Sequence, residues 1–367
     1  MKILLLGEYS NVHNTLAQNL RALGNDVTHI SNGDFWKGYD SDILLVRHRG
    51  ALGAARYVAR LATLLPKMRG YDIVQVINPM FLELKAERIA PVWRYLKKHN
   101  RRTVLGAFGM DAFYVKTCVE EKAFRYSDFN IGEQLRDDAS AQKNKTDWTN
   151  TPKARLNERM AEECDGIVAG LYEYWRSYTP EFDDKLTFIP YPIDVPATAN
   201  TDVANPVHIL CGINASRHQE KGTDRLLEVA QQVCNALHDR ANIEIVENIP
   251  FKEYCSKLQQ TDILLDQLYS YTPAMNALQA MALGTVCVTG GEPENYSILN
   301  EERLRPIVNP QPENLQDFAQ ELQNLILNPS LIKAKKQEGI EYIAKHHDAK
   351  LIAKRYLTFY KQLLNKK

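Results

Sequence analysis

Several things are scarce or missing in this 367-residue chain, and each absence narrows its class. Net charge is missing: Lys plus Arg and Asp plus Glu number 45 each, so no polyanion is implied as a general partner and no nucleic acid is expected. Cysteine is sparse. The six (Cys118, Cys164, Cys211, Cys234, Cys255 and Cys287) are scattered without a C-x-x-C pair, and most sit in apolar stretches. That pattern argues against a disulfide framework or a zinc site and predicts buried thiols in a reducing compartment. Long hydrophobic runs are absent too. The opening MKILLLGEYS is too short for a signal peptide. Residues 267–291 carry no charge, but a proline, amides, hydroxyls and Gly284 break them up. A spanning helix needs about 20 mainly apolar residues, so the expectation is a cytoplasmic protein. Low-complexity tracts are missing as well, and with 44% apolar residues the chain has ample material for two cores of roughly 100–200 residues each.

What is present is alternation. KILLLG, DVTHIS, DILLV, DIVQVINP and TVLGAF read as short strands, and helical segments such as NTLAQNLRALG, GALGAARYVARLATLLPKMRG and ERIAPVWRYLKKHNRR separate them. Such alternation indicates βαβ units and a parallel sheet. The stretch 114–160 breaks the rhythm: it is polar and helix-like with no obvious strand, and is expected to be a helical insertion. CDGIVAG and LTFIPYPID add two strands. From Val207 the pattern restarts with VHILCGI, IEIVENI, DILLDQL and TVCVTGG as strands. A seam rich in proline and small polar residues lies near 190–206. The expected class is α/β, with two Rossmann-like doubly wound domains: 1–195 with the insertion, and 196–345. A last helix over 346–367 completes the chain. Two such domains would face a cleft at the carboxyl ends of their strands, where ligands of open α/β sheets bind.

Two segments carry the chemistry. In ASRHQEKGTDRLLEVA, Arg217 and Lys221 sit on a loop that runs into a helix near Gly222. Two cations four residues apart, beside unpaired helix N–H groups, make a diphosphate site; the alternative is a solvated basic loop. In SYTPAMNALQAMALGTVCVTGGEPE a second helix starts near Pro273, and its alanines either admit a ligand or simply pack. In the first half, Gly7 permits close backbone approach after the first strand, but no G-x-G-x-x-G follows, which tells against a dinucleotide site. Asp111, at a strand's carboxyl edge, either bonds a ligand hydroxyl and helps it lose its proton, or caps a helix. His13, His48 and His218 lack metal-ligand spacing and are expected to be structural.

Taken together, these segments resemble retaining glycosyltransferases of the GT-B fold, family 4 type, and more narrowly bacterial enzymes of surface-polysaccharide assembly. KG-T-D resembles that family's diphosphate loop, Q-AMALG-TVCV-TGGEPE its E-A-M-A-x-G-x-P-V-V segment, IPYPID its I-P-N-P-V-D, and GEYSN its first loop. The resemblance runs in order through most of the chain. It implies transfer of a sugar from a nucleotide-diphosphate donor to a glycan or lipid-linked acceptor without a cofactor or a required metal, and a last helix packed on the first domain. The donor set implied is Gly7, Arg217, Lys221, Tyr271, Asn276 and Gln279. The departures are specific: the family's glutamate pair falls on Tyr271 and Gln279, and its cation pair is spaced one residue wider than Arg217 and Lys221. Gln279 can still offer a carbonyl oxygen to a ribose hydroxyl. Glu292 and Glu294 either stand in for the missing carboxylates or form a plain turn; Glu292 and Asp111 are the candidate catalytic groups. A nucleotide-sugar epimerase and a glycan-binding pseudoenzyme are the alternatives.

Charge is spread unevenly. Residues 1–110 hold 16 Lys/Arg against 8 Asp/Glu, a net of +8, and the remainder is correspondingly acidic. Segments 47–70 and 88–102 concentrate the basic residues among apolar ones. This predicts peripheral contact with an anionic membrane surface at the inner face of the cell membrane, or else helices that cover the sheet with arginines in water.

Overall fold

A computed structural model describes the chain apart from residues 214–217, 248, 250 and 367 and the side chains at 36, 218, 251 and 252. The chain forms two compact units. Met1–Lys116, Thr146–Pro192 and Ala349–Lys367 make unit 1; Thr117–Lys145 and Ile193–Asp348 make unit 2.

Unit 1 opens with β1 (Lys2–Leu6), α1 (Val12–Ala22), β2 (Asp26–Ser31), β3 (Ile43–Leu44), α2 (Gly50–Leu64), β4 (Ile73–Val76), α3 (Ala86–His99) and β5 (Arg102–Ala107). Helix α4 (Ala112–Val119) leads out to a small hairpin, β6 (Asn130–Ile131) and β7 (Gln134–Leu135), and α5 (Ala139–Trp148) leads back. Then come α6 (Pro152–Glu163), β8 (Gly166–Ala169), α7 (Tyr172–Phe182) and β9 (Leu186–Phe188). The sheet is parallel in the order β3-β2-β1-β4-β5-β8-β9. Ile3 lies opposite both Val27 and Ile73. The chain runs outward from β1 through β2 to β3 and then returns to β4 on the other side of β1, so the switch point of the sheet falls between β1 and β4. Both faces of these strands are covered, which is why KILLL and IVQV read as nearly continuous apolar runs.

Unit 2 continues with β10 (Val207–Ile213), α8 (His218–Lys221), α9 (Thr223–Leu237), β11 (Ala241–Glu247), α10 (Phe251–Leu258), β12 (Ile263–Leu265), α11 (Met275–Ala282) and β13 (Val286–Val288). Helices α12 (Pro293–Leu299), α13 (Leu315–Leu327) and α14 (Pro329–His346) follow. Its parallel sheet runs β11-β10-β12-β13, with the switch point between β10 and β12. The core gathers Ile209, Ile263, Leu265, Val286, Leu226, Phe318 and Leu322. The expected second helix begins at Met275 rather than Pro273. The alanines of α11 are packing residues: Ala277, Ala280 and Ala282 are buried, and Gly284, at φ +88°, admits the backbone of Asn200 where a Cβ would collide.

Helix α15 (Ala349–Asn365) belongs to unit 1, packs on α1, and buries Tyr356, Phe359, Tyr360 and Leu363. The segment expected to be a helical insertion of the first domain is divided differently. Residues 117–145 group with unit 2, and they contain the β6–β7 hairpin, whose two-residue strands are too short to show period-2 alternation.

Candidate functional site

In unit 2 the candidate site lies at the carboxyl end of the sheet. The turn from α8 into α9 needs Gly222, whose φ is +69° and where a Cβ would meet the Tyr269 ring at 2.7 Å. The Lys221 carbonyl accepts from Leu268 N at 2.7 Å, which fastens the turn to the chain leaving β12. Just past that strand, Asp266 is 3% exposed. Its Oδ1 accepts from Asn276 Nδ2 at 2.9 Å and faces Lys221 Nζ at 3.4 Å, while Oδ2 accepts from Thr289 Oγ1 at 3.3 Å. Two of the expected donor-binding residues, Lys221 and Asn276, therefore meet on one carboxylate oxygen. Gln279 is half-buried, three residues beyond Asn276 and so on the same side of α11. The first N–H groups of the fifteen-residue α9 begin immediately after Lys221 and Gly222. Arg217 lies outside the described residues. Sequence reasoning missed Asp266; its one signal is a charged residue closing the apolar run DILL.

Tyr271 and Glu292 are also brought together, by the strap 117–145. Arg125 reaches Glu292 at 2.6 Å and Glu294 at 2.7 Å, and its guanidinium lies 4.8 Å over the Tyr271 ring. The Tyr271 hydroxyl accepts from Arg125 N at 2.7 Å. Glu292 also accepts from the Tyr126 hydroxyl, from Asn309 Nδ2 at 2.9 Å and from Gln311 Nε2 at 2.7 Å. Burial opposes ionisation of Glu292, but these donors outweigh it and hold its pKa below the usual value. A carboxylate with its lone pairs so filled works as an anchor for the strap. The structure thus gives Glu292 and Tyr271, which is 2% exposed, a bracing place beneath the strap. At its other end the strap places Arg136 on the carbonyls of Gln219 (2.6 Å) and Glu220 (3.2 Å), with its guanidinium 3.8 Å over Tyr269. The strap thus braces the turn that carries Lys221.

In unit 1, Gly7 has φ +83°, and a Cβ there would run into Ile77 of the segment after β4. Its backbone conformation and the packing of Ile77 both call for glycine, and the residue also lines the cavity of this unit described below. The next residue, Glu8, turns its carboxyl oxygens onto His13 N (3.3 Å) and Asn14 N (2.8 Å), filling the N-terminal seat of α1 with the chain's own acceptor. Burial pushes the Glu8 pKa up to about 7. His13 Nδ1 lies 2.9 Å from the Gly7 carbonyl, which can only accept, so Nδ1 carries the proton and Nε2 accepts from Gln75 Nε2 at 3.1 Å. Burial lowers the His13 pKa to about 3 and that of His29 to about 4, so both rings are neutral.

Asp111 is fully buried. It accepts from Tyr114 N at 2.9 Å and from the Tyr178 hydroxyl at 2.8 Å, while Asn157 bonds both Tyr178 (2.9 Å) and Ala112 N (2.9 Å). Burial raises its pKa to about 6. The arrangement is a helix cap with its own hydrogen-bond network, the second of the two readings given for Asp111. Beside the switch point between β1 and β4 lies a cavity of about 680 Å³, lined by apolar side chains such as Leu45, Tyr57, Met80, Phe81 and Leu82 and bordered by Arg47, Glu83, Lys85, Asp147 and Lys153.

No protein-family model matches the chain, and no curated protein matches it in sequence. Solved structures match it along its whole length. Sucrose-phosphate synthase from Thermosynechococcus elongatus superposes with a TM-score of 0.61 at 13% identity, covering 99% of both chains. WaaG, a glycosyltransferase involved in lipopolysaccharide biosynthesis, gives 0.60 at 13% identity over 100% of both chains. HepE from Anabaena, in complex with UDP-glucose, gives 0.61 at 12% identity, covering 99% of this chain and all of that one. At such identities the likeness establishes the fold alone: an α/β chain of parallel sheets with the GT-B fold of these neighbours.

Proposed function

We propose that the protein is a glycosyltransferase that takes a sugar from a nucleotide-diphosphate donor and passes it to a glycan or lipid-linked acceptor in polysaccharide assembly. One observation carries the reading. Lys221 and Asn276 converge at the carboxyl end of unit 2's parallel sheet, next to the start of α9, in a fold shared end to end with a protein solved with UDP-glucose. In this reading the donor diphosphate meets the Lys221 ammonium and the α9 N–H groups, and Gln279 offers its amide oxygen to the ribose. Glycosyl transfer proceeds through an oxocarbenium-like state while negative charge builds on the departing diphosphate. A fixed ammonium and helix dipole stabilise that charge as it develops, so the reaction as proposed draws on the chain's own cations rather than on a resident metal or cofactor. Retention of anomeric configuration rests on the resemblance of the motifs. The apolar cavity of unit 1 suits an acceptor with a hydrophobic portion.

Among the described residues no helix is long and apolar enough to cross a membrane. We place the protein on an anionic membrane surface through the exposed basic face around α2, where it would reach a lipid-linked acceptor. Isothermal titration of UDP-, GDP- and CMP-sugars into the wild type and into Lys221→Ala tests the donor reading. A charge-assisted contact contributes about 1.5–3 kcal/mol, so the variant should lose roughly tenfold to a hundredfold in affinity. Equal affinities would remove Lys221 from the site. Product analysis with and without acceptor then separates transfer from epimerisation and from binding alone.

A further inference from the structure

We infer that Asp266 is a positioning residue of the nucleotide-sugar site, holding the Lys221 ammonium and the Asn276 amide where a diphosphate meets them. The inference rests on the donor reading above and deepens it.

Asp266 follows a strand, Ile263–Leu265, whose three residues are all buried and apolar. Packing alone would favour another apolar side chain there. Instead the chain buries a carboxylate whose side chain is 1% exposed. An ionised carboxylate so placed costs several kcal/mol unless it is paired and hydrogen-bonded. The compensation comes from three separate elements: the Lys221 turn, α11 through Asn276, and the end of β13 through Thr289. Its backbone N–H is fixed as well, on the Val288 carbonyl at 3.0 Å. The carboxylate is therefore the fixed point, and the polar groups of the site are arranged around it.

Distance and exposure say what the arrangement is for. At 3.4 Å, the Lys221–Asp266 contact is longer than the roughly 2.7–2.9 Å of a full charge-assisted bond. The ammonium leans on Asp266 without being saturated by it, and the lysine side chain stays 28% exposed. An ammonium has three donors, so two remain for phosphate oxygens. A lysine on a free four-carbon stem would have to be ordered at the moment of binding; one already held on Asp266 escapes most of that cost. A carboxylate near a diphosphate would ordinarily repel it. Here both oxygens are covered by donors, so an incoming ligand meets the donors, not the anion. Asp266 acts through Lys221 and Asn276 and touches no substrate.

The test is a double-mutant cycle read by isothermal titration of UDP and GDP and their sugars into wild type, Asp266→Asn, Lys221→Met and the double variant. Asparagine keeps the shape and an acceptor oxygen but removes the charge. On the wild-type background Asp266→Asn should cost about tenfold in affinity, and on the Lys221→Met background less than twofold, because its effect is carried by the lysine. Equal losses on both backgrounds, or none on either, overturn the inference. A wild type that binds none of these nucleotides instead removes the donor reading itself, and this inference with it. Should Asp266→Asn fail to fold, NMR relaxation of ¹³C-methylated lysines in the wild type decides the matter. The Lys221 signal, identified by its loss in Lys221→Arg, should be more restricted than those of exposed lysines; equal freedom overturns the proposal.

Discussion

The Tyr360 hydroxyl donates to Gln75 Oε1 at 2.8 Å, joining two buried residues 285 positions apart within one unit. Gln75 sits inside β4 and passes the chain of hydrogen bonds on through its amide nitrogen to His13. This explains the one polar residue in IVQV, and it makes the last helix part of the first unit's core. Arg102 reinforces the join by donating to the Leu363 carbonyl at 2.9 Å.

Tyr360→Phe leaves Gln75 Oε1 buried without its donor, and should cost about 1–3 kcal/mol in urea unfolding. Removing residues 349–367 strips five large side chains (Ile352, Tyr356, Phe359, Tyr360 and Leu363) from the core and should abolish the cooperative transition of unit 1. A truncated protein that melts like the full chain would refute this.

Glu8 gives a pH signature. Its pKa is about 7 in the fold against an ordinary 4.5, because burial disfavours the carboxylate. Below pH 4.5 both folded and unfolded forms are protonated and nothing is lost. Between 4.5 and 7 the unfolded chain releases its proton first, so stability contributed by this group falls as pH rises, and above 7 the deficit is constant. Neutral His13 and His29 act in the opposite sense, their folded-state pKa values lying near 3 and 4, so stability falls as pH drops below about 6.5. Glu8→Gln isolates the carboxylate: it keeps one acceptor for the α1 N–H groups and does not titrate. Its melting temperature relative to wild type should be higher at pH 8 than at pH 5, by an amount on the order of 1–3 kcal/mol in stability. A difference that does not change with pH would show that Glu8 is not protonated in the fold.

The strap offers a separate check. Tyr126→Phe removes one donor to Glu292, and Arg125→Ala removes another together with the cover over Tyr271. Both should speed proteolysis and amide exchange within 117–145, with Arg125→Ala the larger effect at about 1–3 kcal/mol of local stability. Unchanged protection would mean that the hairpin is held by its apolar contacts alone.

How much of this was legible in the sequence varied with the kind of contact. The two parallel sheets were, because buried strands such as Lys2–Leu6 and Ile263–Leu265 leave uninterrupted apolar runs and Gly24 and Gly284 mark helix ends. The stripe of α15 was, since its spacing is helical. The strap was not: its strands are two residues long, and its attachment to unit 2 depends on Arg125 and Arg136 finding partners more than 80 positions away. Site residues suffered most. The cap made by Asp111 was one of its two readings, whereas the contacts of Tyr271 and Glu292 with Arg125 were not, because no local pattern reveals partners so distant in sequence. Asp266 was invisible for the same reason in reverse, since its importance comes from two groups that approach it from other elements.

The basic surface of unit 1 supports a final prediction. Residues 43–71 contain no Asp or Glu, while Arg47, Arg49, Arg56, Arg60, Lys67 and Arg69 are all exposed. Helix α2 buries only Gly53, Tyr57, Leu61 and Leu64, leaving Leu52 64% and Val58 41% exposed. The exposed leucine and valine thus lie on the same helix as Arg56 and Arg60. Basic residues near an anionic leaflet contribute about 1 kcal/mol each, and the two apolar side chains add the burial of part of their surface. The protein should therefore sediment with vesicles containing anionic lipid at low salt, much less at 0.5 M salt, and not with neutral vesicles. The salt dependence follows because screening shortens the Debye length to a few ångströms. Arg56→Glu with Arg60→Glu should weaken the association by about tenfold or more, through both the lost attraction and the added repulsion, and Leu52→Ser should weaken it less and without changing the salt response. Binding that is equal on neutral vesicles, or absent on anionic ones at low salt, would assign this face to another partner and remove the proposed membrane placement.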